Sequence, residues 1–272
     1  MKVALIQMNS QGDKARNLEQ ARDLIERAVA EERPDLVALP EIWPLLSDDD
    51  AQKRAAAEPV PGGAAYGLLQ ELAAKHRIVL HGGSIIERDG SERDDGAIYN
   101  TTVVFDRDGR ELARYRKLHL FDIVTPDGKE YRESATFTRG ARTVCFDALG
   151  TRIGLSICYD LRFAELYLQL AKDGAEVILV PSAFTLQTGK DHWEVLLRAR
   201  AIETQTYVLA PAQWGRYAGG ARACYGHSLI ADPWGHVIAR AQDKVGYVAA
   251  RLDLEQVERV RARMPCAEHR VL

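Results

Sequence analysis

The stretch "RIGLSICYDLRFAEL", residues 152–166, changes its pattern in the middle. Its first half alternates apolar side chains as a buried β-strand does, and its second half repeats them at helical spacing. Cys158 lies where the strand pattern ends, and Asp160 is placed to cap the helix that follows. The segment is therefore predicted to pass from strand to helix through a tight turn at the cysteine.

A thiol at such a turn has two interpretations. At the start of a helix, free N–H groups and the helix dipole favour the thiolate, which is the nucleophilic form. A backbone N–H of the turn would also face a developing oxyanion. Free cysteine is, however, among the residues most often buried as a small apolar side chain. This stretch alone leaves both a nucleophile and a packing residue open for Cys158.

Strands and helices alternate on the N-terminal side of this stretch. "KVALIQM" (2–8), a helical repeat over 15–32 and "DLVALP" (35–40) predict an opening β-α-β unit. A helix is predicted over 64–76 and a strand over 77–86. Such units build sheets that are covered by helices.

Two hairpins complicate that picture. One is predicted over 99–120 around the turn "DRDG", and the other over 227–242 with its turn at Asp232 to Gly235. Both require antiparallel strands. The segment 122–142 is predicted to be a loop, and a helix is predicted over 191–205 between two strands.

This combination predicts the α/β class with mixed β-sheets, and it is compatible with two sheets stacked face to face and helices outside them. The expected architecture is a four-layer α-β-β-α sandwich. Because no linker, repeat or low-complexity tract interrupts the pattern, residues 1–272 are predicted to form a single domain.

The composition of the chain limits the kinds of binding partner that are expected. The formal net charge is -3, with acidic and basic residues interspersed, which does not favour nucleic acid or an anionic membrane surface. No apolar run approaches the ~20 residues of a spanning helix, and the N-terminal apolar run is too short for a signal peptide. We expect a cytoplasmic protein with a small-molecule partner. Its four cysteines are widely separated, which disfavours a disulfide framework or a structural zinc site.

Other polar residues occupy suggestive positions without deciding a function. Glu41 follows a buried apolar run, and Lys117 closes a strand pattern, yet each is also explained as a solvated charge. A thiol nucleophile usually has a histidine base. His119 and His192 are candidates, the latter at the predicted start of a helix, and a structural role explains each equally simply.

Three motifs taken in order carry more information than any one of them. "LPEIWP" (39–44), "YRKLHLF" (115–121) and "ICYDLRFAEL" (157–166) resemble the glutamate, lysine and cysteine motifs of the nitrilase superfamily of carbon–nitrogen hydrolases. "GKEYRESATFTRG" (128–140) is similar to the loop that carries the second glutamate of that family. The likeness extends over nearly the whole chain and is strongest to the Nit branch, which includes deaminated glutathione amidases and ω-amidases.

The resemblance implies the α-β-β-α sandwich and a chemistry without metal or organic cofactor. It assigns the nucleophile to Cys158 and the general base to Glu41. It assigns the oxyanion site to Lys117 and the backbone N–H of Tyr159. The second glutamate maps onto Glu133, which would orient Lys117 and the leaving group.

The implied activity is that of an amidase. We expect hydrolysis of the primary amide of a small carboxylate-bearing substrate to acid and ammonia through a cysteinyl thioester. A molecule like deaminated glutathione is the first choice, short keto-acid amides are the second, and N-carbamoyl compounds or nitriles belong to other branches. Three alternatives belong to other functional classes. They are a thiol enzyme with a histidine base, a binding protein on the same fold, and a metalloenzyme, for which the sequence lacks clustered ligands.

Substrate contacts and assembly are less determined. Arg162 is a candidate for binding a carboxylate, or for anchoring its own helix, and Phe184 and Thr188 are candidates for the pocket wall. The connections 45–62, 121–142 and 214–225 are expected to set the pocket volume, and 45–62 either caps the site or is a solvated excursion. An apolar stripe over 161–174 predicts a homodimer, or a larger homo-oligomer, unless it faces only its own sheet.

Overall fold

The computed structural model describes residues 1–90 and 96–271. The strands of this part of the chain are β1 (Lys2–Gln7), β2 (Leu36–Ala38), β3 (Glu58–Pro59), β4 (Val79–His81), β5 (Ile85–Arg88), β6 (Ile98–Phe105), β7 (Glu111–Arg116), β8 (Asp122–Val124), β9 (Glu130–Arg132), β10 (Cys145–Ala148), β11 (Thr151–Leu155), β12 (Val177–Leu179), β13 (Tyr207–Ala210), β14 (Trp214–Tyr217), β15 (Arg222–Tyr225), β16 (Leu229–Ala231), β17 (Val237–Arg240) and β18 (Gly246–Arg251). Its α-helices are α1 (Lys14–Glu32), α2 (Asp50–Ala56), α3 (Ala64–His76), α4 (Ala164–Lys172), α5 (Leu186–Thr204) and α6 (Glu255–Arg263).

Most of the strands form two mixed sheets. The first has the order β18-β1-β2-β4-β6-β5-β3, with β7 beside β6. The second has the order β10-β11-β12-β13-β16-β17, parallel in its centre and antiparallel at both edges. The predicted hairpins are β6 with β7 and β16 with β17, which supply antiparallel pairs to the two sheets.

The sheets face each other, and helices cover their outer sides. Along β1, Val3 and Leu5 join the core shared with the second sheet, whereas Ala4 and Ile6 pack towards α1 and α3. This period of two is that of a strand buried on both faces. Helices α4 and α5 pack on the outer face of the second sheet. The predicted four-layer α-β-β-α sandwich is confirmed.

The strand predicted over 77–86 is two strands, and the prediction was wrong at its middle. β4 ends at His81, and Gly83 turns the chain with a left-handed φ of 57°. A Cβ at Gly83 would lie 2.1 Å from the carbonyl oxygen of Pro40. Only glycine permits that approach, so the break lets the chain pass directly under the segment that carries Glu41.

Two further segments differ from the sequence prediction. Residues 122–142 are not all loop, because β8 and β9 form a hairpin that leads into the 3-10 turn Glu133–Ala135. Helix α5 begins at Leu186 and not at 191, so His192 lies inside it. Gly189 hid the first turns from sequence reasoning, since glycine is a poor helix former. Its missing side chain makes room for Tyr225, which would lie 2.3 Å from a Cβ there.

Helix α3 has the bounds predicted for it, Ala64 to His76. Among the described residues, none of the helices is long and apolar enough to cross a lipid bilayer.

Candidate active site

The residues named by the three sequence motifs meet at one cavity. Glu41 follows β2, Lys117 follows β7, and Cys158 follows β11, so strand ends of both sheets contribute. Glu133 opens the 3-10 turn after β9. All four line a cavity of about 380 Å³. Strand ends are a common place for binding sites, because the loops that leave them converge there.

Lys117 lies between two carboxylates at the bottom of this cavity. Its Nζ donates to Oε1 of Glu41 at 2.8 Å and to Oε1 and Oε2 of Glu133 at 3.0 and 2.8 Å. The side chain is only 2% exposed. Burial by itself lowers the pKa of Lys117, but the charges of Glu133 and Glu41 outweigh it and hold that pKa well above its usual value. Lys117 is therefore an ammonium ion at neutral pH.

Asn100 joins the two carboxylates and was missed by sequence reasoning. Its Nδ2 donates to Oε1 of Glu41 at 2.9 Å and to Oε1 of Glu133 at 3.2 Å. Its backbone carbonyl accepts from the N–H of Lys117 at 2.9 Å. Asn100 is fully buried in β6, where an amide between strand residues gives no sequence signal of its own. It holds the three charged side chains in one fixed arrangement.

The second oxygen of Glu41 points to the other sheet. Oε2 accepts a hydrogen bond from the N–H of Ala183, which follows β12, at 2.8 Å. The backbone of the Glu41 segment is fixed from below, since Ile42 N–H donates to Ser84 Oγ at 2.9 Å and the Pro40 carbonyl accepts from Ser84 N–H at 3.2 Å. The carboxylate is thus oriented by both sheets.

Cys158 begins a 3-10 turn, Cys158–Arg162, and not the long helix that the sequence predicts. The cysteine itself has a left-handed φ of 46°, a strained conformation for a residue with a side chain. Its N–H donates to the Pro181 carbonyl at 3.0 Å. Because Phe163 has an extended conformation between the turn and α4, the α-helix starts only at Ala164.

The expected lowering of the thiol pKa is wrong. Burial raises the pKa of the Cys158 thiol well above its usual value, and the charge of Glu41 raises it further, while Lys117 offsets only part of the rise. Cys158 is therefore a neutral thiol at rest. It needs a base at the moment of attack, and Glu41 is the group beside it.

Asp160 stabilises the cysteine turn, although it does not cap α4 as predicted. Its Oδ2 accepts from Tyr115 Oη at 2.7 Å and from Ile157 N–H at 2.9 Å. Its Oδ1 accepts from the N–H of His119 at 3.0 Å and lies 2.7 Å from Nδ1 of that ring. The His119 ring also stacks on Phe163 at 3.7 Å. His119 thus serves the turn, and it does not line the cavity.

The proposed substrate contacts divide into two groups. Phe184, Thr188 and Tyr159 line the cavity. Arg162 does not line it. Its guanidinium instead packs over the Phe184 ring at 5.2 Å, and Nη1 lies 3.3 Å from Nδ1 of His192. Arg162 therefore supports the wall from behind.

All three connections expected to shape the pocket contribute to its wall. Residues 45–62 are no free excursion, because they carry α2 and place several side chains in the cavity. The lining residues from the three connections are Leu46, Ser47, Asp48, Asp50, Lys53, Phe121, Glu130, Tyr131, Arg132, Glu133, Ala135, Phe137, Tyr217 and Arg222. Among residues 1–90 and 96–271, no cluster of three or more His, Cys, Asp or Glu side chains could hold a metal ion.

The chain is similar to known proteins over nearly its whole length. The family model described as carbon-nitrogen hydrolase matches residues 2–262. The chain belongs to the carbon–nitrogen hydrolase family. It is 42% identical to a deaminated glutathione amidase of Synechocystis sp. over 99% of this chain and 97% of that protein. It is 38% identical to an ω-amidase of Saccharomyces cerevisiae over 99% of this chain and 93% of that protein.

A solved structure extends the likeness to three dimensions. The crystal structure of the Caenorhabditis elegans NitFhit protein matches with a TM-score of 0.91 at 40% identity, covering 99% of this chain and 65% of that chain. This hydrolase therefore shares the backbone of its relatives over nearly all of its length. Its sequence motifs pointed to the residues around Lys117, but Asn100 and the cavity arginines Arg132 and Arg222 were found only in the structure.

Proposed function

We propose that the protein is an amidase that works through a cysteinyl thioester. The observation that carries the proposal is the Lys117 ammonium held between Glu41 and Glu133 in the same buried cavity as Cys158. The buried thiol supplies a nucleophile, the carboxylate of Glu41 a base, and the ammonium a positive charge for an oxyanion.

In the first step Cys158 Sγ bonds to the amide carbon, and its proton passes to Glu41. Oε2 is the oxygen suited to take it. Oε1 already accepts from Lys117 and Asn100, whereas Oε2 accepts one backbone hydrogen bond, from Ala183 N–H. A carboxylate oxygen accepts two hydrogen bonds, so Oε2 keeps one lone pair free. The high pKa of the thiol is then no obstacle, because attack and proton transfer go together.

The carbonyl oxygen of the substrate becomes an oxyanion during this attack. Lys117 Nζ is one donor to it, with the two oxygens of Glu133 sharing one of its three N–H groups. The N–H of Tyr159 is the second, since the first N–H groups of a helical turn have no partner inside the turn. Collapse of the intermediate breaks the C–N bond, the proton held by Glu41 passes to the leaving nitrogen, and a thioester on Cys158 remains. Glu133 keeps Lys117 charged and oriented throughout.

The second half-reaction uses the same groups. Glu41, again a carboxylate, removes a proton from a water molecule that attacks the thioester carbon. The oxyanion forms at the same place, the C–S bond breaks, and the thiol of Cys158 recovers the proton as the acid leaves. One carboxylate therefore serves acylation and deacylation.

For the substrate we propose a deaminated glutathione, as named for the Synechocystis relative. The amide bonds of deaminated glutathione are secondary, so hydrolysis of one of them releases an amine and not ammonia. The expectation of a primary amide and of ammonia does not hold for this substrate. It holds for the second candidate, a short keto-acid amide, which the ω-amidase relative supports. Both substrates give the same kind of thioester.

Two measurements test this proposal. Mixing the protein with substrate and recording its intact mass should reveal the acyl adduct on wild-type protein and none on Cys158→Ala. The kcat/KM for a deaminated glutathione should exceed that for 2-oxoglutaramate by at least about 10-fold. A preference of that size for the short amide makes the protein an ω-amidase, and turnover by Cys158→Ala contradicts the mechanism.

We also propose a cytoplasmic homodimer. The stripe predicted to pair is not available, because Leu166, Tyr167 and Leu170 of α4 are buried in the protein's own core. Exposed apolar side chains lie instead on α5 and on the neighbouring hairpin of β16 and β17. They are Leu186, Val195, Ile202, Trp234 and Ile238. A monomer in sedimentation at micromolar concentration would contradict the dimer. The cytoplasmic location is supported by the free cysteines, which fit a reducing compartment.

A further inference from the structure

The cavity has two levels that differ in charge. The floor consists of Glu41, Lys117, Glu133 and Cys158, which are nearly or fully buried. Because the thiol is neutral, the two carboxylates and one ammonium of the floor carry a net negative charge. A further anionic group, such as a substrate carboxylate, is therefore repelled there. A substrate that carries a carboxylate besides its amide must place that carboxylate elsewhere in the cavity.

The rim consists of the other charged side chains that line the cavity, which are the cations Lys53, Arg132 and Arg222 and the carboxylates Asp48, Asp50 and Glu130. Two of the cations are already neutralised by close partners. Lys53 Nζ lies 2.8 Å from Oδ1 of Asp50. Arg132 Nε lies 2.6 Å from Oε1 of Glu130, and its side chain is 71% exposed.

Arg222 is different. Its nearest described carboxylate contact is Nε to Oδ2 of Asp48 at 3.8 Å, which is too long for a hydrogen bond. Its side chain is only 20% exposed. Within the described residues, Nη1 is buried and has no hydrogen-bond partner. Among the residues that the structure describes, Arg222 is thus a partly buried cation without a close counter-ion.

Neutral contacts fix the orientation of this guanidinium. It lies over the ring of Tyr131 at 4.3 Å, and Nη2 donates to the carbonyl of Glu130 at 3.2 Å. Its backbone pairs with Tyr217 across β14 and β15. A guanidinium held in one plane presents its remaining donors to a carboxylate as a fork, at a small cost in entropy.

We propose that Arg222 binds the carboxylate of the substrate and thereby makes the enzyme select amides that carry one. The inference rests on the proposed amidase function and adds its specificity residue. Asp48 acts against it, because its carboxylate competes for the same guanidinium. Removal of Arg222 and neutralisation of Asp48 therefore have opposite effects on a carboxylate substrate and little effect on a neutral one.

The test compares succinamate with butyramide, a neutral amide of similar length. Ammonia release gives kcat and KM for wild type, Arg222→Met, Arg222→Lys and Asp48→Asn, with Arg132→Met as the matched control on the rim. We expect Arg222→Met to raise KM for succinamate by about 10-fold or more, since the lost bonds involve charged groups. Butyramide should change by less than about 2-fold. The KM of Arg222→Lys for succinamate should lie between those of wild type and Arg222→Met. Asp48→Asn should lower the KM for succinamate.

Two results overturn the proposal. If Arg222→Met impairs both amides equally, Arg222 only links the β8–β9 and β14–β15 hairpins. If Arg132→Met reproduces the succinamate defect, the rim acts through its general charge. Failure of wild type to hydrolyse either probe counts against the proposed function alone. Calorimetry with succinamate on Cys158→Ala, with and without Arg222→Met, then decides the binding role: a weaker Kd supports it, and an unchanged Kd refutes it.

Discussion

The floor and the rim of the cavity are built from different parts of the fold. Three of the floor residues follow strands of the two large sheets, and their hydrogen bonds join those sheets, as between Glu41 and Ala183. The rim comes from the connection 45–62 and the two small hairpins. Its charges are more exposed, with Arg132 at 71% and Asp48 at 45%.

This difference indicates a division of work. On the floor every charge has fixed partners, which favours one geometry for bond making and breaking. On the rim, the guanidinium of Arg222 has no close counter-ion within the described part of the chain, and the loops that carry it tolerate change. Substitutions on the floor should therefore affect turnover of every substrate, whereas substitutions on the rim should change the choice among them.

The largest effect is expected at the nucleophile. Cys158→Ala should reduce kcat by at least about 10⁴-fold for carboxylated and neutral amides alike, because no thioester forms. Cys224→Ala is the matched control, since Cys224 is another buried thiol whose pKa is raised by burial but which does not line the cavity. It should keep most of the activity. Equal losses in the two variants would show that the thiols matter only for packing.

The second-largest loss of activity is expected for substitution of Lys117. Lys117→Arg keeps the charge but places a larger planar group between Glu41 and Glu133. Loss of a well-placed oxyanion donor should reduce kcat/KM by about 10²–10³-fold. Lys53→Arg, on the rim, serves as the control. A Lys117→Arg enzyme with near-normal rates would remove Lys117 from the reaction.

A smaller effect is expected at Asn100. Asn100→Ala removes one donor shared by two charged groups, which should lower kcat by about 10–100-fold with little change in KM. Asn100→Asp should be more damaging, since a third carboxylate would face the other two. A rise in KM with unchanged kcat would assign Asn100 to substrate binding. Thermal unfolding of both variants separates positioning from a general loss of stability.

The smallest effect concerns stability under the floor. Burial lowers the pKa of His81 from its usual 6.5 to about 3, and this residue ends β4 just below the Glu41 segment. The unfolded chain therefore binds a proton between those pH values that the folded protein excludes, so the free energy of unfolding decreases as pH falls. Between pH 6.5 and 4.5 wild type should lose about 2 kcal/mol more than His81→Asn. The free energy of unfolding is measured by denaturant unfolding at both pH values. An equal loss for wild type and His81→Asn would contradict this prediction.

Sequence reasoning succeeded where the signal is local. Helix α3, the hairpin of β6 and β7, and the turn at Cys158 all follow from periodicity and turn residues. It failed where a neighbour decides the conformation. The break at Gly83 depends on the Pro40 carbonyl, and the early start of α5 depends on Tyr225. The roles of the floor residues, and a single domain over residues 1–272, stay predictions.

The main alternation of strands and helices, the α/β class and the three motifs were determined by the sequence itself, because hydrophobic period and motif spacing are properties of the chain. The tertiary structure alone decided which charges meet. Asn100 and Arg222 have no local signal, and their importance arises from side chains brought near from distant segments. The protonation of Cys158 was also decided there, since burial and the charge of Glu41 outweigh the position at a turn.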